Sequence, residues 1–288
     1  MSDKKPLKMG AVVYAPRVTV VWEIIVDYFK NAGLPMEAVF FKDYESQIDA
    51  LLDGSIDIAW NSPLAHLDAE LRGKGACDYG CMRDTDRDLH TYMIVRKDSG
   101  YSKVSDLKGK TIGFGAFDSP QARLIPMYYL HTQGLEYGKD YTEKRYDIGL
   151  GLHGDHVGGE QDAMEALKRG EVEASFTLDR NYKRWAQDGT LDKEEIVILA
   201  ETPAFDHCIF TMRPGFPKEQ HDQFIDCIMQ MDYNNPEHKK MMDLEGLKEW
   251  VPGRLSGFHQ IQEANKYLDF FPAFAQFKKD HPQEGENK

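Results

Sequence analysis

Two stretches of this chain spell the same helix–turn–strand phrase. "QIDALLDGSIDIAWNSP", starting at Gln47, and "AMEALKRGEVEASFTLD", starting at Ala163, align without a gap. Ile48 falls on Met164, Ala50 on Ala166, Leu51 on Leu167, Gly54 on Gly170, Ile56 on Val172 and Trp60 on Phe176. In each copy, apolar residues at helical spacing stop at a glycine, and the residues after it alternate as a strand. Each copy then ends in a polar run, "NSP" or "LDRN", just past the carboxyl end of its strand. That edge is where ligands bind in open α/β sheets. A phrase written twice therefore predicts two α/β lobes whose ligand edges face each other across a cleft.

The rest of the chain extends the pattern. "KMGAVVYA" reads as a buried strand, "TVVWEIIVDYFKNAG" as an amphipathic helix stopped by Gly33, and "EAVFFKD" as a second strand. After "VRKDSGYSKVSDLKGK" the alternation resumes with "TIGFGA", "ARLIPMYYLHTQG", "DAMEALKRG", "EVEASFT" and "EIVILAE". Strands alternating with helices indicate mainly parallel sheets covered by helices. From Phe205 onward, "CIFTM" reads as a strand. "EQHDQFIDCIMQMD", "PEHKKMMDLEG" and "FHQIQEANKYLDFF" read as helices, and "KKDHPQEGENK" as a polar, frayed tail.

Charge narrows the partners. With 48 acidic against 35 basic side chains and a net charge of −13, the surface repels nucleic acid and anionic membranes. No apolar run approaches the ~20 residues that span a bilayer, so direct membrane insertion is not expected. The opening "MSDKKPLKMGAVVYA" lacks the apolar core and cleavage site of a secretory signal. The expected location is periplasmic if a signal has been removed, and cytoplasmic otherwise. Cys77, Cys81, Cys208 and Cys227 lack the spacing of a metal site and read as ordinary thiols.

Several residues carry binding chemistry. "GLGLHGDHVGGEQDA" gathers His153, Asp155, His156 and Glu160 in a glycine-rich loop before a helix. Ligand contact and metal binding are both chemically open to such a set. The glycines oppose the helical geometry that H-x-x-H needs for one ion, so the loop is read as a ligand cradle at a helix N-terminus. No metal or cofactor is expected. Arg17, after the first strand, offers a planar fork for an anion, with Tyr14 beside it. Asp179 is either a ligand acceptor or a helix N-cap. His207 and Cys208 read as neighbours in a strand, whose alternation points them to opposite faces and forbids a Cys–His couple.

At "DGSIDIAWNSP", "YMIVRKDSGYSKVSDLKGKTIGFG" and "GGEQDAMEALKRGEVEAS", the chain resembles the phosphonate/phosphate-type substrate-binding proteins of ABC transporters. The resemblance implies the type II periplasmic-binding-protein fold, in which two Rossmann-like lobes close on a small ligand. It implies lobe one over 1–96 and 205–288, lobe two over 97–204, and crossovers near "VRKDS" and "AETPAFDH". By position it implies ligand contacts at Asn61, Ser62, Tyr92 and the histidine loop. It also implies a Ser-Thr-Ser run after "TIGFG". Here the chain departs, with "FDSPQAR": Ser119 is kept, while Asp118, Pro120 and Gln121 replace the rest. An acid there repels a simple phosphonate, and a proline removes an amide donor.

The function expected is capture of a small polar or anionic solute, with an ABC permease as partner. A cytoplasmic enzyme and a ligand sensor on the same fold remain alternatives. Tyr92, His156 and His207, from three separate segments, are expected to meet at the ligand.

Overall fold

The computed structural model describes residues 5–282. Up to Arg87 it contains β1 (Leu7–Val12), α1 (Arg17–Asn31), β2 (Met36–Phe41), α2 (Tyr44–Leu52), β3 (Ile58–Asn61), α3 (Pro63–Arg72), β4 (Asp78–Tyr79) and β5 (Cys81–Arg83). From Asp88 to Phe205 come β6 (Thr91–Arg96), β7 (Thr111–Phe114), α4 (Ile125–Thr132), β8 (Thr142–Arg145), α5 (Gly158–Lys168), β9 (Ala174–Leu178), α6 (Asp179–Asp188) and β10 (Ile196–Glu201). The remainder adds β11 (Ile209–Met212), α7 (Lys218–Ile228), α8 (Pro236–Glu245), β12 (Trp250–Pro252), α9 (His259–Leu268) and α10 (Phe270–Asp280).

The chain forms two compact units. One takes the residues up to Arg87 and Asp206–Gly257, and the other takes Asp88–Phe205 and the residues from Phe258. The first holds a five-stranded sheet in the order β2-β1-β3-β11-β4, and the second a five-stranded sheet in the order β10-β6-β9-β7-β8. In each, a parallel trio (β2-β1-β3 and β8-β7-β9) is flanked by an antiparallel strand, β11 or β6.

The repeated phrase is thus a repeated substructure. Its two strands, β3 and β9, occupy the same sheet position. Gly10 of β1 pairs with Ala59, as Gly113 of β7 pairs with Ser175. A Cβ on Gly10 would lie 2.5 Å from Ile56 and 3.3 Å from Gln47. A Cβ on Gly113 would lie 3.2 Å from Val172 and 3.4 Å from Ala163. Those neighbours are equivalent positions of the two copies. Both glycines let the helix–strand connection press against the sheet.

In the first unit, Met9, Ala11, Ile58, Trp60, Phe210 and Met212 of the sheet pack with α1, α7 and α8 through Trp22, Phe29, Phe224 and Met242. The second sheet is covered on both faces. Ile94 faces Met164 and Leu167 of α5 and Trp185 of α6. Met93, Phe114 and Phe176 face Met127 and Leu130 of α4. Burial of each such side chain contributes about 1.5–3 kcal/mol.

Five expectations about the fold are corrected. The chain passes between units at 87/88, 205/206 and 257/258, not near "VRKDS". β6 is built into the second sheet, where it pairs antiparallel with β9 and buries Met93 and Val95 on one face and Ile94 on the other, so Tyr92 belongs to that unit. The C-terminal helices join the second unit rather than the first, held by phenylalanines on α10. "FHQIQEANKYLDFF" is not one helix, because Asp269 adopts φ +46° and starts a new one. The predicted tail is helical as far as Asp280, and residues 283–288 lie outside the described ones.

Candidate functional site

The candidate residues of the second unit gather at the carboxyl ends of β7 and β9. β7 runs out into Gly115-Ala116-Phe117-Asp118-Ser119, a π-turn (Pro120–Leu124) and then α4. Ser119 Oγ caps this turn by accepting the N–H of Ala122 at 3.1 Å. Gly115 is required here, since a Cβ would stand 2.7 Å from that of Ala122 and 3.7 Å from the Glu160 amide nitrogen. The first turn of α5 is thereby brought against the end of β7. Gly158 donates to His156 Nδ1 at 3.2 Å and Gln161 to the Val157 carbonyl at 2.9 Å. Amides of a first helical turn have no partner within their own helix, and they favour anions.

The glycine-rich loop lies on the Asp118–Gln121 segment. Asp118 Oδ2 accepts the N–H of Gly151 at 2.6 Å and that of His153 at 3.4 Å. Gln121 Nε2 donates to the Gly154 carbonyl at 2.9 Å, and its own carbonyl accepts Thr91 Oγ1 at 2.8 Å. Gly154 has φ +75°, and an added Cβ would strike Ser119 Oγ and lie 2.6 Å from Gln121 Nε2. Asp118, Ser119, Gln121 and His153 therefore form one buried cluster.

Its electrostatics are unusual. Burial pushes the Asp118 carboxyl up to about 7, although the Gly151 and His153 amides favour its charged form. Oδ1 of Asp118 is buried and has no hydrogen-bond partner among the described residues. Burial, with Lys278 nearby, holds His153 down to about 3, so its ring is neutral at ordinary pH.

Glu160 serves a second cluster. Its Oε1 accepts the Leu178 N–H at 2.8 Å and Asn181 Nδ2 at 3.0 Å, satisfying the start of α6. Burial lifts its carboxyl to about 7, and its Oε2 is buried without a partner among the described residues. Asp179 is the first helical residue, with Leu178 in the cap position, so the N-cap reading gives way. Its carboxylate pairs with Lys183 at 2.5 Å. Tyr92 is half-buried on the same sheet face as α5 and α6 and sits edge-on to Tyr182, with ring centroids 5.6 Å apart. His156 is exposed.

The first unit holds the other candidates. Tyr14 is half-buried after β1, and Arg17 is exposed at the start of α1. At the end of β3, Ser62 caps α3 by accepting the Ala65 N–H at 3.1 Å. Asn61 Oδ1 accepts Gln47 Nε2 at 2.8 Å, and the same Nε2 donates to the Trp60 carbonyl at 2.9 Å. Because that carbonyl demands a donor, the Gln47 amide orientation is set. Asn61 Nδ2 is then a buried donor with no partner among the described residues. The sequence reading missed Gln47, although a glutamine on the buried stripe of α2 (Tyr44, Gln47, Ile48, Leu51) is the signal that marks it.

His207 is completely buried. It and Cys208 precede β11 in irregular backbone, so strand alternation does not apply. His207 Nδ1 lies 3.0 Å from Cys208 Sγ, correcting the expectation that the two point apart. Asp86 Oδ1 approaches the same nitrogen at 3.9 Å. A relay needs the acid and the nucleophile on different ring nitrogens, so this trio lacks the geometry of an activated cysteine. Asp86, His207 and Cys208 are also close enough together to ligate a metal. However, Arg83 already forks both Asp86 oxygens at 2.5 and 2.9 Å and reaches Glu245 at 2.8 Å. A guanidinium in that place repels a cation.

Comparison with known proteins agrees with this architecture. Residues 12–258 match the family described as ABC transporter, phosphonate, periplasmic substrate-binding protein. The phosphonates-binding periplasmic protein of Escherichia coli is 23% identical over 240 residues, covering 82% of this chain and 67% of that protein. A Prochlorococcus marinus protein solved with methylphosphonate superposes with a TM-score of 0.69 at 16% identity, covering 93% of this chain and 99% of the other. A Xanthomonas citri protein solved with ATP gives 0.72 at 16% identity, covering 93% and 100%. These two likenesses establish the type II binding-protein fold. The matched span takes in the whole second sheet, every strand of the first except β1, and the loops at their carboxyl ends, and the chain belongs to the family of periplasmic substrate-binding proteins of phosphonate ABC transporters.

Proposed function

We propose that the chain captures a small organic anion that also carries a hydrogen-bond donor, an aminoalkylphosphonate being the class that fits, and passes it to a membrane permease. One observation carries the choice of ligand class. The loop after β7 holds a buried carboxyl, Asp118, with one oxygen committed to the Gly151 and His153 amides and the other without a partner among the described residues. A buried acceptor left open costs about 1–3 kcal/mol, and an ammonium or hydroxyl of a ligand would satisfy it. The first turn of α5, brought close by Gly115, supplies amide donors suited to the acid group. Above about pH 7, where Asp118 is ionised, a phosphonate without a donor leaves it open and meets its charge. Relatives named as periplasmic support action outside the cytoplasmic membrane, and no helix among the described residues is long and apolar enough to cross one.

The test is a thermal-shift panel of 2-aminoethylphosphonate, methylphosphonate and inorganic phosphate on the wild type and Asp118→Asn. A ligand at about 100 times its Kd adds about 2.7 kcal/mol to native stability. The aminoalkylphosphonate should give the largest shift, and its advantage should vanish in Asp118→Asn. Equal stabilisation of the wild type by methylphosphonate would overturn the assignment.

A further inference from the structure

The matched family region ends at residue 258, yet α9 and α10 follow it, and α10 packs onto the residue before Asp118. The Phe117 ring stacks on Phe277 with centroids 4.6 Å apart at 20°. It lies 5.7 Å from Phe274 and 6.0 Å from Phe270. The Arg123 guanidinium sits 4.2 Å from the Phe117 centroid, and Arg145 lies 4.8 Å from Phe117 and 5.0 Å from Phe277. Both arginines act on the loop backbone as well. Arg123 Nη1 donates to the Phe117 carbonyl at 3.0 Å, while Arg145 Nε holds Asp147, which accepts the Phe117 N–H at 2.8 Å. Glu143 anchors Arg123 in turn at 2.6 Å.

Every handle on Phe117 is therefore taken. Its N–H and its carbonyl are bound through the side chains of Asp147 and Arg123, and its ring is stacked by α10. Aromatic pairs and cation–π contacts have preferred ring geometries, so moving the Phe277 ring disturbs the place of the Phe117 ring stacked on it. The next residue is the buried carboxyl that the proposed function assigns to the ligand.

We propose that α10 is a positioning clamp for the ligand loop. Phe277 acts through Phe117 to fix the place of Asp118, and the C-terminal helix pair thereby tunes which ligands are accepted. Phe277 is a positioning residue and touches no ligand itself. This inference rests on the assignment of Asp118 to the ligand, and the experiment separates the two.

Hydrogen exchange is measured on the ligand-free full-length protein as wild type, Phe277→Ala, Phe277→Tyr and Phe117→Leu. Phe277→Ala and Phe117→Leu should speed exchange of the amides of residues 116–122, Pro120 having none, by about tenfold or more while leaving those of β1 unchanged, the signature of local opening. Phe277→Tyr, which keeps the stack, should behave as wild type. In calorimetric titration, Phe277→Ala should narrow the preference for 2-aminoethylphosphonate over methylphosphonate, and Phe277→Tyr should restore it. If the wild type binds neither probe, the ligand class fails while the exchange data still judge the clamp. Unchanged exchange at 116–122 in Phe277→Ala, or faster exchange throughout the molecule, would overturn the clamp.

Discussion

Asp118 and Gly151 are joined, carboxylate to amide, by a hydrogen bond of 2.6 Å across 33 residues of chain. The bond seats the glycine-rich loop on the segment that leaves β7. It also places an acid in a buried position where solvent cannot stabilise its charge.

Stability should therefore depend on pH through Asp118. Burial raises its carboxyl from 3.8 to about 7, so in that window the folded chain keeps a proton that the unfolded chain has released. The contribution is full below about pH 4 and is lost as pH rises toward 7. Buried His66, held down to about 4, and His153 work in the opposite sense, losing stability as pH falls below about 6.5. A variant comparison cancels them. Asp118→Asn should gain on the wild type by about 2–3 kcal/mol between pH 5 and pH 8, at about 1.4 kcal/mol per pKa unit. Urea unfolding at the two pH values measures it, and parallel behaviour of the two proteins would contradict it.

Gly154→Ala should loosen the same loop. The position has φ +75°, and the added methyl would meet Ser119 and Gln121. The backbone alone costs about 1 kcal/mol or more, and displacing the two side chains raises the total to roughly 2–3 kcal/mol. Chemical unfolding should show this loss together with faster amide exchange around Gly151. Wild-type stability in the variant would mean that the loop does not sit where the structure has it.

Arg83→Met should be among the costliest single changes in the first unit. The guanidinium bridges Asp86 and Glu245 and lies 5.2 Å from the centre of the Trp60 ring. Removing it withdraws the fork from a carboxylate that stays buried, for which about 3–5 kcal/mol is the usual loss. A loss of unfolding free energy under about 1 kcal/mol in urea titration would show that Asp86 finds compensation elsewhere.

His207→Ala should lower the melting temperature of the ligand-free protein. The ring is fully buried beside Cys208 and Asp86, so its removal leaves a cavity and disturbs polar neighbours. A loss of about 1–3 kcal/mol is expected. As a wet ligand contact, which is how the sequence reads, His207 would leave that temperature unchanged. Calorimetry without ligand separates the two roles.

The sequence by itself determined the architecture. Periodicity and glycine stops placed most helices and strands, and the two copies from Gln47 and Ala163 announced two sheets of one design. That worked because a helix–glycine–strand phrase is specified by short-range physics: side-chain period, a left-handed stop and apolar alternation. "FDSPQAR" was also visible as an acid where a hydroxyl run was implied. The tertiary structure decided the rest. Only packing shows that Asp118 is held by amides 33 and 35 residues away, that Gln47 orients Asn61, and that Glu160 braces α6. His207 and Cys208 share one side of an irregular segment because the backbone before β11 is not a strand, which composition cannot disclose. The last helices joined the second unit through Phe117 and Phe277, residues 160 positions apart in number (277 − 117) whose contact no local pattern encodes. Local order is written along the chain, whereas burial and the partners of buried charge arise only when distant segments exclude water together.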